Sequence, residues 1–216
     1  GVMVAVGQEP ENQPPRITSP GNQQVHENST LVFSQADGNP IRIDDPDAGN
    51  REISLELEVQ QGQLSLSGTG GLTFLSGDGY ADSSMHFQGP LQRINSALDG
   101  LSYKPPPNYR GATQLRLSTN DQGNRGSGGP KTHTAEFDIA ILGVNHAPVA
   151  FDQLLTAAQS QPISITLAGD DGDENEQQQL TFFLTSLPDS GSLAEAGSGR
   201  IIDTAGLPYQ LPNGQV

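Results

Sequence analysis

The sequence predicts an all-β protein built of tandem antiparallel β-sandwich domains, with one short helix in the first. Three observations carry that prediction. Short segments of alternating or β-rich character recur along the chain, Gly, Pro, Asn and Asp bound each of them, and a set of motifs near residue 12 returns near residue 145. Alternation with a period of two gives a strand one buried and one solvated face. Short strands at this spacing pack as two antiparallel sheets.

In chain order the strand segments are "STLVFS", "PIRID", "ISLELEVQ", "GQLSLSG" and "GLTFLS", then "MHFQG", "LSYKP", "TQLRLSTN" and "AEFDIAILGV". One stretch breaks the period. "GPLQRINSALDG" spaces Leu91, Ile94, Ala97, Leu98 and Leu101 as a helix does, with Pro90 suited to the first turn and Gly100 to the C-terminal cap. It reads as one short helix over an open end of the sandwich.

The repeat sets the domains. "ENQPPRI" at 11–17 and "VNHAPVA" at 144–150 share Asn, two residues, then Pro, and each follows a β-rich segment, "VMVAV" or "DIAIL". Further on, "IRIDDPDAG" is echoed by "ITLAGDDGDEN". Two copies of one unit are expected, joined at 12–15 and 145–148. Residues 1–11 then read as the last strand of a preceding domain or a leader, 12–145 as a complete sandwich and 146–216 as a truncated second one. The second copy stops at "LPYQLPNGQV", before any counterpart of "LSYKPPPNYRGATQLRLSTNDQGN". A sandwich without closing strands leaves edges open to pairing. Residues 2–6 of a second copy of the chain are one candidate to fill the gap by strand exchange.

Composition limits the function. The 216 residues carry Lys+Arg 10 against Asp+Glu 25, a net charge of −15. That argues against nucleic acid and anionic membranes as partners and favours cations. There are no cysteines, so neither disulfides nor thiolate metal sites enter. No apolar run is long enough to insert in a membrane. The start, "GVMVAVGQEPENQPP", lacks the basic flank and long apolar core of a signal peptide, and the chain reads as a piece of something larger.

The densest chemistry is "IRIDDPDAGN", with Asp44, Asp45 and Asp47 in four positions. Three readings compete: a solvated turn, a carboxylate pair for catalysis, or a metal site. Asp, Asn and Gly are turn residues. In extended backbone, Asp45 and Asp47 would point to one side, and their repulsion while ionised favours a bound cation. Calcium takes six to eight oxygen ligands.

Several motifs in fixed order carry a family resemblance. "GNPIRIDDPDAG", "GLTFLSGDGYAD", "FQGPLQRINSALDGLSYKPPPNYRG", "STNDQGNRGSGG" and "VNHAPVA" together resemble the cadherin-like, immunoglobulin-like tandem repeats of very large bacterial surface adhesins. The likeness covers nearly all of 12–148 and the front half of a repeat over 149–216, where "TSLPDSGSL" and "LPYQL" carry it. It implies an extracellular or cell-surface rod of β-sandwiches stiffened by calcium at each joint and acting in adhesion and biofilm. Its partners would be neighbouring repeats and a cell-surface or matrix ligand, and no catalysis is expected. For the first joint it implies Asn12, Asp45, Asp47 and Asp121 as ligands. For the second it implies Glu27, Asn145, Asp171 and Asp173. Asp44, Asp170 and the carbonyl of His146 are further candidates. Two departures weaken the downstream joints. His146 stands where such linkers carry Asp, and Gln159 stands where they carry the next glutamate.

Rival motifs fit less well. An EF-hand beginning at Asp171 would put Glu176 in the glycine slot and Phe182 in the final acidic slot. Asp78 and Asp82 in "SGDGYADSS" read as turn residues. The glycine-rich "GNRGSGG" at 123–129 joins two strands and opens no helix, which argues against a phosphate site. Asn28-Ser29-Thr30 matches a glycosylation sequon that, in a bacterial chain, reads as chance. His26, His86, His133 and His146 show no metal-pair spacing. Paired carboxylates could serve an accessory region of a polysaccharide-active enzyme, but aromatic residues are 5% of the chain and Trp is absent. A carbohydrate- or peptide-binding module is the stronger rival, with Tyr80, Tyr103 and Tyr109 as its aromatics. The simpler reading of Tyr103 and Tyr109 is a structural corner beside the helix.

Overall fold

The computed structural model of the chain describes residues 9–123, 125–173 and 179–211. The strand expected at 2–6 lies outside them, as do Asn124 of the glycine-rich loop and part of the second acidic run. The chain divides into two compact units, Gly1–Gly143 and Val144–Val216.

The first unit is a β-sandwich. Its strands are β1 (Arg16–Thr18), β2 (Gln23–His26), β3 (Leu31–Phe33), β4 (Arg42–Asp44), β5 (Glu52–Val59) and β6 (Gln63–Ser65). They continue with β7 (Thr73–Ser76), β8 (Ser84–Pro90), β9 (Leu101–Lys104), β10 (Gly111–Asn120) and β11 (Thr132–Leu142), and the helix α1 (Leu91–Leu98) lies between β8 and β9. Six strands form one sheet in the order β2-β11-β10-β5-β8-β7, and β3-β9-β6 form the facing sheet. β1 and β4 make a separate antiparallel pair. The pairing is antiparallel except between β2 and β11, which run parallel with Ile139 opposite Gln23 and Leu142 opposite His26.

Alternation builds the core as expected of sheets that are wet on one side. Ile53, Leu55, Leu57 and Val59 on β5, Met85 and Phe87 on β8, Leu115 and Leu117 on β10, and Phe137, Ile139 and Ile141 on β11 are all buried. Across from them lie Phe33, Leu64, Leu101 and Tyr103, and Phe33 meets Phe137 edge to face at 5.7 Å. The outward positions of β5 are Glu52, Glu56 and Glu58, which keep that face in water.

The helix forms where the periodicity places it, with two differences at its ends. Pro90 is the last residue of β8 and the N-cap, with ψ 136, and lies outside the first turn. Leu101 opens β9 instead of closing the helix, because Asp99 is extended and Gly100 turns the chain at φ 101. α1 buries Ile94, Ala97 and Leu98. Its Asn95 side chain accepts from Ile43 N at 2.9 Å and donates to Ile43 O at 2.8 Å, pairing with β4 as a neighbouring strand would.

In the second unit the described strands are β12 (Val149–Ala150), β13 (Gly169–Asp170), β14 (Phe182–Leu184) and β15 (Tyr209–Leu211). They form two antiparallel pairs, β12 with β13 and β14 with β15. Among the described residues of this unit, Ile202 and Leu211 are the buried apolar side chains, while Phe151, Leu154, Phe183 and Ile201 are exposed.

Candidate metal centre

The site begins where the chain enters the first unit. Asn12 N donates to Ser127 O at 2.9 Å and Ser127 N donates to Pro10 O at 3.0 Å, so residues 10–12 lie as a short parallel bridge against the glycine-rich loop. Glycine is required in that loop. A Cβ on Gly126, at φ +83, would fall 2.7 Å from Asn12 N. The side chain of Asn12 is held as firmly as its backbone. Nδ2 donates to Asp121 Oδ2 at 2.7 Å and to Gly129 O at 2.8 Å. Asp121 Oδ1 in turn accepts from Gly123 N and Lys131 N, both at 2.8 Å. Asn12 and Asp121 are each 1% exposed.

The acidic run meets this segment one residue on. Gln13 N donates to Asp47 Oδ2 at 2.8 Å. Asp45 Oδ1 accepts from Asp47 N at 3.1 Å and Ala48 N at 3.0 Å. Residues 46–48 are therefore a turn closed by the Asp45 carboxylate, not the extended backbone that would put Asp45 and Asp47 on one side by alternation. The turn still brings the two carboxyl groups together. Partial burial pushes Asp45 above the usual carboxylate range; the two amides it accepts oppose that rise, and the adjoining Asp47 carboxyl adds to it. The Gln13 amide holds Asp47 below that range.

Among the described residues, two buried side-chain oxygens here have no donor, Asn12 Oδ1 and Asp45 Oδ2. Asn12 Oδ1 is an acceptor, given that Nδ2 already faces two acceptors, and Asp45 Oδ2 is an acceptor whenever its carboxyl is ionised. Leaving such an atom buried and unsatisfied costs about 1–3 kcal/mol. Water could donate to both, but a cation would also offset the neighbouring carboxylates. The donor set, carboxylate and amide oxygens without nitrogen or sulfur, suits a hard cation such as calcium.

The same frame recurs in the second unit. Val149 opposes Asp170 there as Arg16 opposes Asp44 in the first unit. His146 N donates to Asp173 Oδ2 at 3.0 Å, as Gln13 N does to Asp47, and Asp173 N donates to Asp171 Oδ1 at 3.1 Å, as Asp47 N does to Asp45. The environment differs. Asn145 is exposed where Asn12 is buried. His146 Nδ1 lies 2.7 Å from Asp173 Oδ1, so the imidazole takes the second oxygen of that carboxylate.

The other candidates are placed as follows. Glu27 is 2% exposed at the end of β2 and receives Arg110 Nε at 3.0 Å. Asp44 is exposed and paired with Arg42 at 3.0 Å. Asp170 accepts from Gly172 N at 3.0 Å. Asp82 Oδ2 accepts from Asp78 N and Gly79 N, the arrangement of a turn. Tyr103 is fully buried and donates to Gln61 O at 3.0 Å, and that burial raises its hydroxyl to about 12. Tyr109 donates to Ala112 O at 3.2 Å, while Tyr80 is exposed. His133 Nδ1 accepts from Ile17 N at 3.3 Å and serves β1.

Sequence reasoning missed the contributions made by backbone, namely Gln13 N, Gly129 O and Lys131 N. It also missed the part played by the glycine-rich loop. The signal for that loop was present in the closely spaced glycines of "GNRGSGG". Nothing in their pattern named residues 10–12 as what they embrace.

No family model matches the sequence, and no curated protein sequence matches it. Among solved structures, the cohesin module from Clostridium perfringens ATCC13124 family 33 glycoside hydrolase is similar at a TM-score of 0.34 and 12% identity, over 62% of this chain and 100% of the module. Likeness at that level carries no functional argument.

Proposed function

We propose that this chain is a calcium-stiffened repeat module of a large extracellular or cell-surface adhesin, acting as a structural spacer without catalysis. The observation that carries the reading is the pair of buried acceptor oxygens without a donor among the described residues, Asn12 Oδ1 and Asp45 Oδ2, on segments tied together by the hydrogen bond from Gln13 N to Asp47. The recurrence of the same hydrogen-bonded frame around Asp171 and Asp173 supports it, since a joint motif repeats with its unit. Asn12, Asp45 and Asp47 would hold the ion in the first unit. Asn145, Asp171 and Asp173 would hold it in the second, where His146 competes for Asp173. The charge of −15 and the resemblance of the motifs to adhesin repeats agree with this role.

The mechanism is mechanical. Calcium supplies positive charge and several oxygen coordination positions. The chain supplies a segment, residues 10–13, already tied to the loop and to the acidic turn, so that ligation fixes the approach to each unit. An ion that binds only the folded state stabilises by about 2.7 kcal/mol at a hundredfold excess over its Kd. Extracellular modules often have Kd values of about 10⁻⁴–10⁻³ M.

Thermal melts in calcium and in chelator test the reading. Calcium is expected to raise the melting temperature by several degrees, and Asp45→Ala with Asp47→Ala to remove most of that rise. Superimposable melts of the unaltered protein in calcium and in chelator would refute it.

A further inference from the structure

We propose that Asp121 is a positioning residue of the first site: it orients the Asn12 amide so that Oδ1 is presented to the cation, and it does not ligate the ion itself. This rests on the calcium reading above. It also departs from what the family resemblance implies for Asp121.

Asp121 already has several donors directed at it. Among the described residues, its buried carboxylate accepts three hydrogen bonds, two on Oδ1 from Gly123 N and Lys131 N and one on Oδ2 from Asn12 Nδ2. An ionised carboxylate has about four acceptor positions. Three are therefore engaged with groups of the loop and the linker. The Asn12 amide has two N–H bonds, and both are committed, one to Asp121 and one to Gly129 O. Rotating the amide by half a turn would set its oxygen against two acceptors. Asp121 thus fixes which way the amide faces, and the oxygen left over is one of the two buried atoms without a donor. Asp45 and Asp47 need no such help, because the Asp45–Ala48 turn and Gln13 N place them. The glycine-rich loop serves the same end. It carries Gly123 and Gly129, and at Gly126 it makes the room that residues 10–12 occupy. Partners of this outer kind commonly cost about 10- to 100-fold in metal affinity when removed.

A double-mutant cycle on the full chain separates positioning from ligation. Calcium affinity is measured by titration calorimetry for the unaltered protein, Asn12→Ala, Asp121→Asn and the double variant. In Asp121→Asn the new amide nitrogen turns a donor toward a donor, either Asn12 Nδ2 or the two backbone amides. Each single change is expected to weaken binding about tenfold, and the pair no more than about twofold beyond either alone, since groups acting as one unit are not additive. Terbium luminescence lifetimes in H2O and D2O count the waters on the bound ion, read against the Asp45→Ala, Asp47→Ala protein. Asn12→Ala, Asp121→Asn and the double variant are each expected to admit the same one additional water. If Asp121→Asn does not fold, Gly126→Ala displaces Asn12 without altering the carboxylate and is expected to show the same loss. Additive losses, or a second added water in the double variant, would make Asp121 a ligand and overturn the proposal while leaving the calcium reading intact. Unchanged affinity in Asp121→Asn would overturn it as well. An unaltered protein that binds neither calcium nor terbium would remove both readings.

Discussion

At the scale of single residues, Asp45 and Asp47, two positions apart, are held on opposite sides of the ordinary carboxylate range. Asp45 is raised, so its contribution to stability is present below the ordinary carboxylate value of 3.8 and is lost as pH rises through its folded value. Asp47 is lowered, so its contribution is present above 3.8 and is lost as pH falls through its folded value. At neutral pH and without a cation, the charge on Asp45 therefore works against the fold. Asp45→Asn keeps an oxygen to accept from Asp47 N and Ala48 N and adds a donor toward Asp47. In chelator at pH 7 it should melt at or above the unaltered protein, by about one to a few degrees. If Asp45 holds calcium as proposed, the order should reverse in millimolar calcium, because the variant gives up a charged ligand. A variant less stable than the unaltered protein in chelator would contradict the place given to Asp45. The sequence made the acidic run visible, and the turn chemistry of Asp-Pro-Asp was visible too. The turn reading holds, since one oxygen of Asp45 closes the turn, and it leaves room for the metal reading, since the second oxygen has no donor among the described residues.

At the scale of elements, strands and helix follow from periodicity because burial on one face is what a repeating pattern encodes. The pieces that were not legible join distant parts of the chain through polar groups. Asn95 shows why. Within "LQRINSALDG" it is an ordinary polar residue of a helix, and only the folded chain brings β4 alongside so that its amide can pair with Ile43. Asn95→Ala leaves Ile43 N without its acceptor and Ile43 O without its donor on β4. A loss of about 1–3 kcal/mol is expected in urea denaturation, with the helix otherwise favoured by alanine. A change within a few tenths of a kcal/mol would show that β4 does not depend on the helix. The glycine-rich loop belongs to the same class. Its composition announces a special backbone, but its partner lies more than a hundred residues away, at Pro10 to Asn12.

At the scale of the whole molecule, the two units differ in how much structure surrounds a shared frame. The first unit surrounds it with a six-stranded and a three-stranded sheet over a continuous core. The second has, among its described residues, two short strand pairs and two buried apolar side chains. Local opening is governed by such packing. Hydrogen exchange should therefore protect amides of β5, β10 and β11 most strongly and those of the second unit weakly, including β14 and β15. Protection in β14 and β15 equal to that in β10 would contradict this ordering. The recurring frame was legible, because Asn-x-x-Pro and the acidic run recur in the same order. What the sequence could not show is that the two copies share strand register as well, since that is set by pairs of residues about 20–30 positions apart.

The parallel pairing of β2 with β11 has a consequence for a molecule held at both ends. These strands lie near the start and the finish of the first unit, side by side and pointing the same way. Tension applied through the two ends pulls them in opposite senses along their common axis. The rungs from Ile139–Gln23 to Leu142–His26 then bear the load together and must fail together, rather than peeling one after another as in an antiparallel pair drawn from its open end. Under tension, the first unit behaves as a clamp in shear.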